Sequence, residues 1–134
     1  MSAISNYLED ALINATLRGQ TYTGSATVWL ALYTTPTDDA TGGTEVPATP
    51  GPTGTSYVRT QVTFAAPTDG ASSNTVVVNF PAATASWGTV THFAICDAQT
   101  AGNRLYHGAL GVAKTVDQGD VFTVPAGNLT ITLQ

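Results

Sequence analysis

Charge is what this sequence has least of. Asp, Glu, Lys and Arg together make up 10% of the 134 residues, against about 25% in ordinary soluble domains. Only four residues are basic: Arg18, Arg59, Arg104 and Lys114. They are scattered along a chain of net charge −5. Neutralising phosphates needs a clustered basic footprint, so nucleic acid is excluded as a partner. Anionic membrane surfaces are disfavoured for the same reason. Cysteine is almost absent, and Cys96 alone makes no intrachain disulfide. No apolar run approaches the length of a bilayer span. The opening residues Met1 to Asn6 carry no basic stretch and no apolar run. The sequence therefore predicts no signal peptide, and assembly in a cytoplasm.

Threonine, alanine, glycine and valine fill the space that charge leaves. A low-charge, Thr/Val-rich chain suits β-sheet, and it suits a surface partly covered by partners. The first segment has helical spacing. Leu8, Ala11, Leu12 and Ala15 fall at i, i+3, i+4 and i+7, and Gly19 is a natural C′ residue. Asn6 and Glu9 have the spacing of a capping box. The reading is a helix over residues 7–18 with Asn6 as N-cap.

Beyond Gly19 the period falls to two. Residues 27–34 are apolar on both faces, the mark of a central strand covered on both sides. Residues 57–64 place Val58, Val62 and Phe64 on one face. Residues 74–80 do the same with Val76, Val78 and Phe80. Strands are also expected at 89–96, 104–110, 121–124 and 129–133. Turn residues separate them at 67–70, 101–103, 118–120 and 125–128. The fold class is mainly β: one antiparallel, jelly-roll-like β-sandwich over residues 1–134, with one short N-terminal α-helix.

Residues 34–55 stand apart. They are rich in Thr, Pro and Gly, and Pro36, Pro47, Pro50 and Pro52 forbid a central strand. A loop this long in a compact domain is usually functional. Two readings stay open: a surface excursion, or an arm that orders against a neighbouring subunit.

Three groups could carry chemistry. His92 and Cys96 lie two pleats apart, roughly 13 Å along a strand, too far for a nucleophile–base pair. With Asp97 and His107, they lack the ligand spacing of a zinc site. Asp38, Asp39 and Glu45, and Asp117 with Asp120, do not match a calcium loop. Tyr22, Trp29, Tyr33, Tyr57, Trp87 and Tyr106 suit a sandwich core, with a glycan or protein surface as the alternative. No catalytic residue, metal or cofactor is expected.

The order of several motifs resembles a family of small virion proteins of tailed bacteriophages, the tail-fibre or decoration proteins. The motifs are Asn6-Tyr7-Leu8-Glu9, the run Val28 to Thr34, and Phe80-Pro81-Ala82-Ala83. They continue with the run Trp87 to His92, the run Leu105 to Leu110, and Gly119-Asp120. Residues 48–56 depart from it, because such chains look shorter there. The resemblance implies a non-catalytic β-rich subunit of the virion. With no fibre-like repeat in the sequence, the expected role is capsid decoration, a cement protein contacting the major capsid protein or other virion subunits. A tail-fibre or baseplate component, or a glycan-binding adhesion module, is the alternative. A homo-oligomer is expected, with a trimer favoured. The expected contact residues are Leu8 and Leu12 on the helix and Pro36, Pro47, Pro50 and Pro52 on the arm.

Overall fold

Three runs of β-branched, aromatic and small residues form the sheet on which the rest of the chain is hung. The computed structural model describes residues 2–48 and 54–133. In chain order the elements are β1 (Ser2–Ile4), α1 (Asn6–Arg18), β2 (Val28–Tyr33), β3 (Thr60–Val62) and β4 (Ala71–Ser73). They continue with β5 (Val78–Asn79), β6 (Gly88–Cys96), β7 (Arg104–Val116), β8 (Thr123–Val124) and β9 (Thr130–Thr132). The main sheet has the order β1-β7-β6-β2-β3. Two short ribbons, β4-β9 and β5-β8, form the second layer. Every strand pair is antiparallel. The chain is thus a mainly β, antiparallel sandwich with one N-terminal helix.

The central strand is β2, as its two-sided apolar pattern requires. Leu30 and Leu32 point into the core between the layers, together with Phe93 and Ile95 of β6 and Ile131 of β9. Ala31 and Tyr33 point the other way and pack with Ala94 and Cys96 on the outer face of the sheet. Aromatic rings fill the end of the core near β5 and β8. Tyr57 and Trp87 meet edge to face at 5.4 Å, and Phe80 and Phe122 at 5.6 Å, the geometry favoured by the ring quadrupole. Tyr33, Tyr57 and Trp87 are buried. Tyr22, Trp29 and Tyr106 are half-buried.

Four local readings change. The N-cap is Ser5, not Asn6: its Oγ accepts from the Leu8 N–H at 3.3 Å. The sheet sets this position, because the Ser5 N–H donates to the Leu105 carbonyl and the Ser5 hydroxyl to that of Arg104. Glu9 therefore falls one residue too late for a capping box. The strand read at 57–64 shortens to β3. Its alternation breaks between Tyr57 and Val62, which both reach the core although they are of opposite parity, while Val58 is half-buried.

The strand read at 74–80 shortens to β5. Asn74 is buried, and its carboxamide donates to the carbonyls of Val76 and Pro125 and accepts from the Leu129 N–H. This side chain stands in for ladder hydrogen bonds, and Val76, read on one face with Val78 and Phe80, is 58% exposed while those two are buried. Finally, β7 runs on to Val116, past the end read at Leu110. Its pairing with β6 skips from His92↔Ala109 to Val90↔Lys114, so that Thr91 faces the four residues 110–113.

Candidate interaction surface

The Thr/Pro/Gly-rich segment is not loose over the part described. Residues 34–48 turn back antiparallel to the end of β2, with Glu45 opposite Tyr33. The Thr34 N–H donates to the Thr44 carbonyl at 2.9 Å, and the Val46 N–H to that of Leu32 at 3.0 Å. Val46 is thereby drawn into the core. Gly43 makes the turn possible. Its φ is +94°, and a Cβ there would stand 2.9 Å from the Pro36 carbonyl oxygen, which favours glycine.

Two of the four basic residues and one histidine fix this segment. Arg104 donates to the carbonyls of Asp38 at 2.7 Å and Gly42 at 2.9 Å. Its guanidinium lies 3.5 Å from the Asp38 carboxylate. His107 bridges Thr37 Oγ1 at 3.0 Å on Nδ1 and Asp39 Oδ1 at 2.9 Å on Nε2. Arg59 forks onto both carboxylate oxygens of Glu45 at 2.8 and 2.9 Å. It also reaches the carbonyls of Ala98 and Ala101. Such bidentate, charge-assisted contacts are the strong class of hydrogen bond. The hydrogen bond to Glu45 also pushes the Arg59 pKa up. The Asp38 carboxylate accepts the N–H groups of Gly42 and Ala40, and these hold its pKa below the ordinary range.

The other residues singled out for chemistry also have structural partners. His92 Nδ1 lies 2.8 Å from the hydroxyl of its neighbour Thr91. Cys96 is buried, and that burial raises its thiol pKa, the opposite of what a reactive thiolate needs. Asp97 accepts two hydrogen bonds from Asn103 and closes the β6–β7 turn. Asp120 accepts from the Asp117 N–H. Among the described residues no group of three or more His, Cys, Asp or Glu could hold a metal ion. No helix among them is long and apolar enough to cross a membrane.

The six expected contact residues are dispersed. Leu8 is 3% exposed and belongs to the protein's own interior. Leu12 is half-buried, and Pro36 and Pro47 are exposed. Pro50 and Pro52 lie outside the described residues. Sequence reasoning missed the exposed apolar side chains. On α1, Ile13 is 53% and Leu17 79% exposed, and on β7 Val112 is 83% exposed. Ile13 and Leu17 are four residues apart, off the Leu8–Ala11–Leu12–Ala15 face. That spacing marks a second apolar stripe, which was legible in the sequence. A further apolar cleft of about 560 Å³ opens between the layers, among Val28, Phe64, Leu105, Tyr106, Ile131 and Leu133.

The comparison with known families identifies the protein's kind. The family model described as "Podophage GP4 fiber I protein gp80" matches residues 3–132. The match spans nearly the whole chain, and the protein belongs to this family. It is a structural protein of the tailed-phage virion kind. The sequence matches no curated protein.

Proposed function

We propose that this member of the fiber I protein family is a non-catalytic subunit of a fibre carried by a tailed-phage particle, present in several copies and held by other virion subunits. The observation that carries the reading is the family match over residues 3–132. The structure supports it through what its polar residues do. Arg59, Arg104 and His107 are committed to holding residues 34–48 on the sheet. Among the described residues, Ile13 and Leu17 stay exposed at 53% and 79%. We place the contact with other virion subunits on this exposed stripe of α1, beside Leu12, and on the arm with Pro36, Pro47, Pro50 and Pro52.

Capsid decoration is the competing reading, favoured by the single sandwich domain without fibre-like repeats. Copy number per particle separates the two. Quantitative mass spectrometry of purified particles, scaled to the major capsid protein, measures it. A fibre subunit gives a number matching the few-fold symmetry of a tail. A number on the scale of the capsid lattice makes the protein a decoration protein instead. The attachment surface is tested by Leu17→Glu. The variant should keep the fold and lose its place on the particle. Full occupancy of the variant would remove α1 from the interface.

A further inference from the structure

Two apolar surfaces of this chain stay open among the described residues, and they have opposite shapes. One is a helix surface. α1 buries only Leu8, and Ile13 and Leu17, one helical turn apart, stand exposed on its distal half. A helix of this length is marginal in water unless packing supports it. The other surface is concave. The cleft between the layers, about 560 Å³, has Val28, Ile95 and Tyr106 of the main sheet on one side and Ala71, Ile131 and Leu133 on the other. No charged side chain lines it, and the Ser72 hydroxyl at its wall is spent on the Ala65 carbonyl at 2.6 Å. An occupant of such a cleft must be apolar.

The charges beside the two surfaces are opposite. Arg18 follows Leu17 at the end of α1. It is exposed, and its guanidinium donates to the Asn14 carboxamide of its own helix at 2.9 Å. Asp69 stands at the lip of the cleft, between the lining residues Pro67 and Gly70, and is also exposed. Its place is fixed by a tight turn. Thr68 and Ala71 exchange both backbone hydrogen bonds, at 2.9 and 3.0 Å, and Asp69 and Gly70 between them have φ of +52° and +77°. Among the described residues neither Arg18 nor Asp69 is in a salt bridge.

We propose that the distal half of α1 lies in the interlayer cleft of a second copy of this chain, with Ile13 and Leu17 as its anchors and Arg18 against Asp69. This is recognition of a helix by a groove, in which anchors fall at i and i+4. The second copy is favoured over a foreign subunit because one chain carries both halves of the contact, each with the charge that complements the other. The contact is heterologous: each copy gives its helix to one neighbour and its cleft to the next, the geometry by which rings and filaments are built. It rests on the reading of α1 as the attachment surface and names what that surface attaches to.

Disulfide trapping between two full chains tests the contact. Leu17→Cys is made in one chain and Ala71→Cys, in the cleft, in another, so a helix that covered its own cleft would give no link. Mixed under mild oxidation, the two should form a linked dimer, while the intact chain, whose Cys96 is buried, should not. Leu17→Cys mixed with Gln118→Cys, on an exposed turn outside the cleft, should stay largely unlinked. Arg18→Ala added to the first chain should slow trapping by about two- to fivefold, the range of an exposed ion pair. Asp69→Asn in the second, which suits the same turn, should do the same, and both together should slow it no further. No link overturns the proposal, as does a link formed equally fast with Gln118→Cys or a rate indifferent to both charges. If trapping fails while Leu17→Glu still loses its place on the particle, another virion subunit takes the helix. The second-copy contact is then wrong, and α1 remains the attachment surface.

Discussion

The guanidinium carbon of Arg104 lies 5.0 Å from the ring centroid of Tyr33, and from that position its nitrogens reach the Asp38 and Gly42 carbonyls. One side chain thus joins β7, β2 and the loop that follows β2. Its side chain is 8% exposed, so these contacts are made largely out of water. A cation over an aromatic face adds about 0.5–2 kcal/mol, and hydrogen bonds to charged groups about 1.5–3 kcal/mol each.

Arg104→Ala should therefore cost about 2 kcal/mol or more of stability and release residues 37–43 to protease. Arg104→Lys keeps the charge but loses the fork and should fall between the two. Urea denaturation with limited proteolysis measures both. Equal stability of all three chains would mean that the loop is held by the Arg59–Glu45 pair and His107 alone.

Asp38 gives the same loop a dependence on acid. Hydrogen bonds from the Gly42 and Ala40 N–H groups hold its folded pKa below the ordinary 3.8. The folded state therefore binds its proton less readily than the unfolded chain does. Its stabilising contribution is complete well above pH 3.8 and is lost as pH falls through the lower folded value. Titration of the Asp38 carboxyl by nuclear magnetic resonance should give a midpoint below 3.8. Asp38→Asn should flatten this part of the acid stability profile. A midpoint at or above the ordinary value would contradict the loop geometry.

How far this was legible in the sequence depends on the element. The central strand at 28–33 was readable because its pattern is apolar on both faces, and α1 because its apolar spacing fits one helical face. The strand at 74–80 was misread because a buried asparagine, a tertiary feature, supplies the hydrogen bonds a ladder would supply. The N-cap slipped by one residue because Ser5 is fixed by β7, far away in sequence. The arm was visible as an anomaly of composition. Its anchoring was not, since nothing local says that Arg59, Arg104 and His107 converge on it from two distant segments. One consequence is practical: deleting residues 42–54 would remove Glu45 and Val46, one an ion-pair partner and one a core residue, and would unsettle the sandwich as well as the arm.

Asn74 offers a direct check on the misread strand. Its carboxamide makes three hydrogen bonds, to Val76, Pro125 and Leu129. Asn74→Ala leaves these backbone groups without their partner in a buried setting, at a cost of about 1–3 kcal/mol for each unsatisfied group. Thermal denaturation should show a fall of several degrees. An unchanged midpoint would mean that the β5–β9 region does not need this side chain.

Tyr57 connects the aromatic core to the same arm. Its hydroxyl accepts from the Leu32 N–H at 3.0 Å and donates to Glu45 at 2.7 Å. Burial drives its pKa up, so the hydroxyl stays protonated through the alkaline range. Tyr57→Phe keeps the ring stacking but strands the Leu32 N–H, and should cost about 1–3 kcal/mol. Guanidinium denaturation is the measurement, and a neutral result would show that water replaces the hydroxyl.

The proposed role as a fibre subunit is decided by where the protein sits on the particle. Gold-labelled antibody against the folded protein, imaged on intact purified particles by electron microscopy, reads that place. A fibre subunit gives label on the tail appendages and none over the shell. Label spread over the capsid surface, or no label on particles that carry every other structural protein, would contradict it.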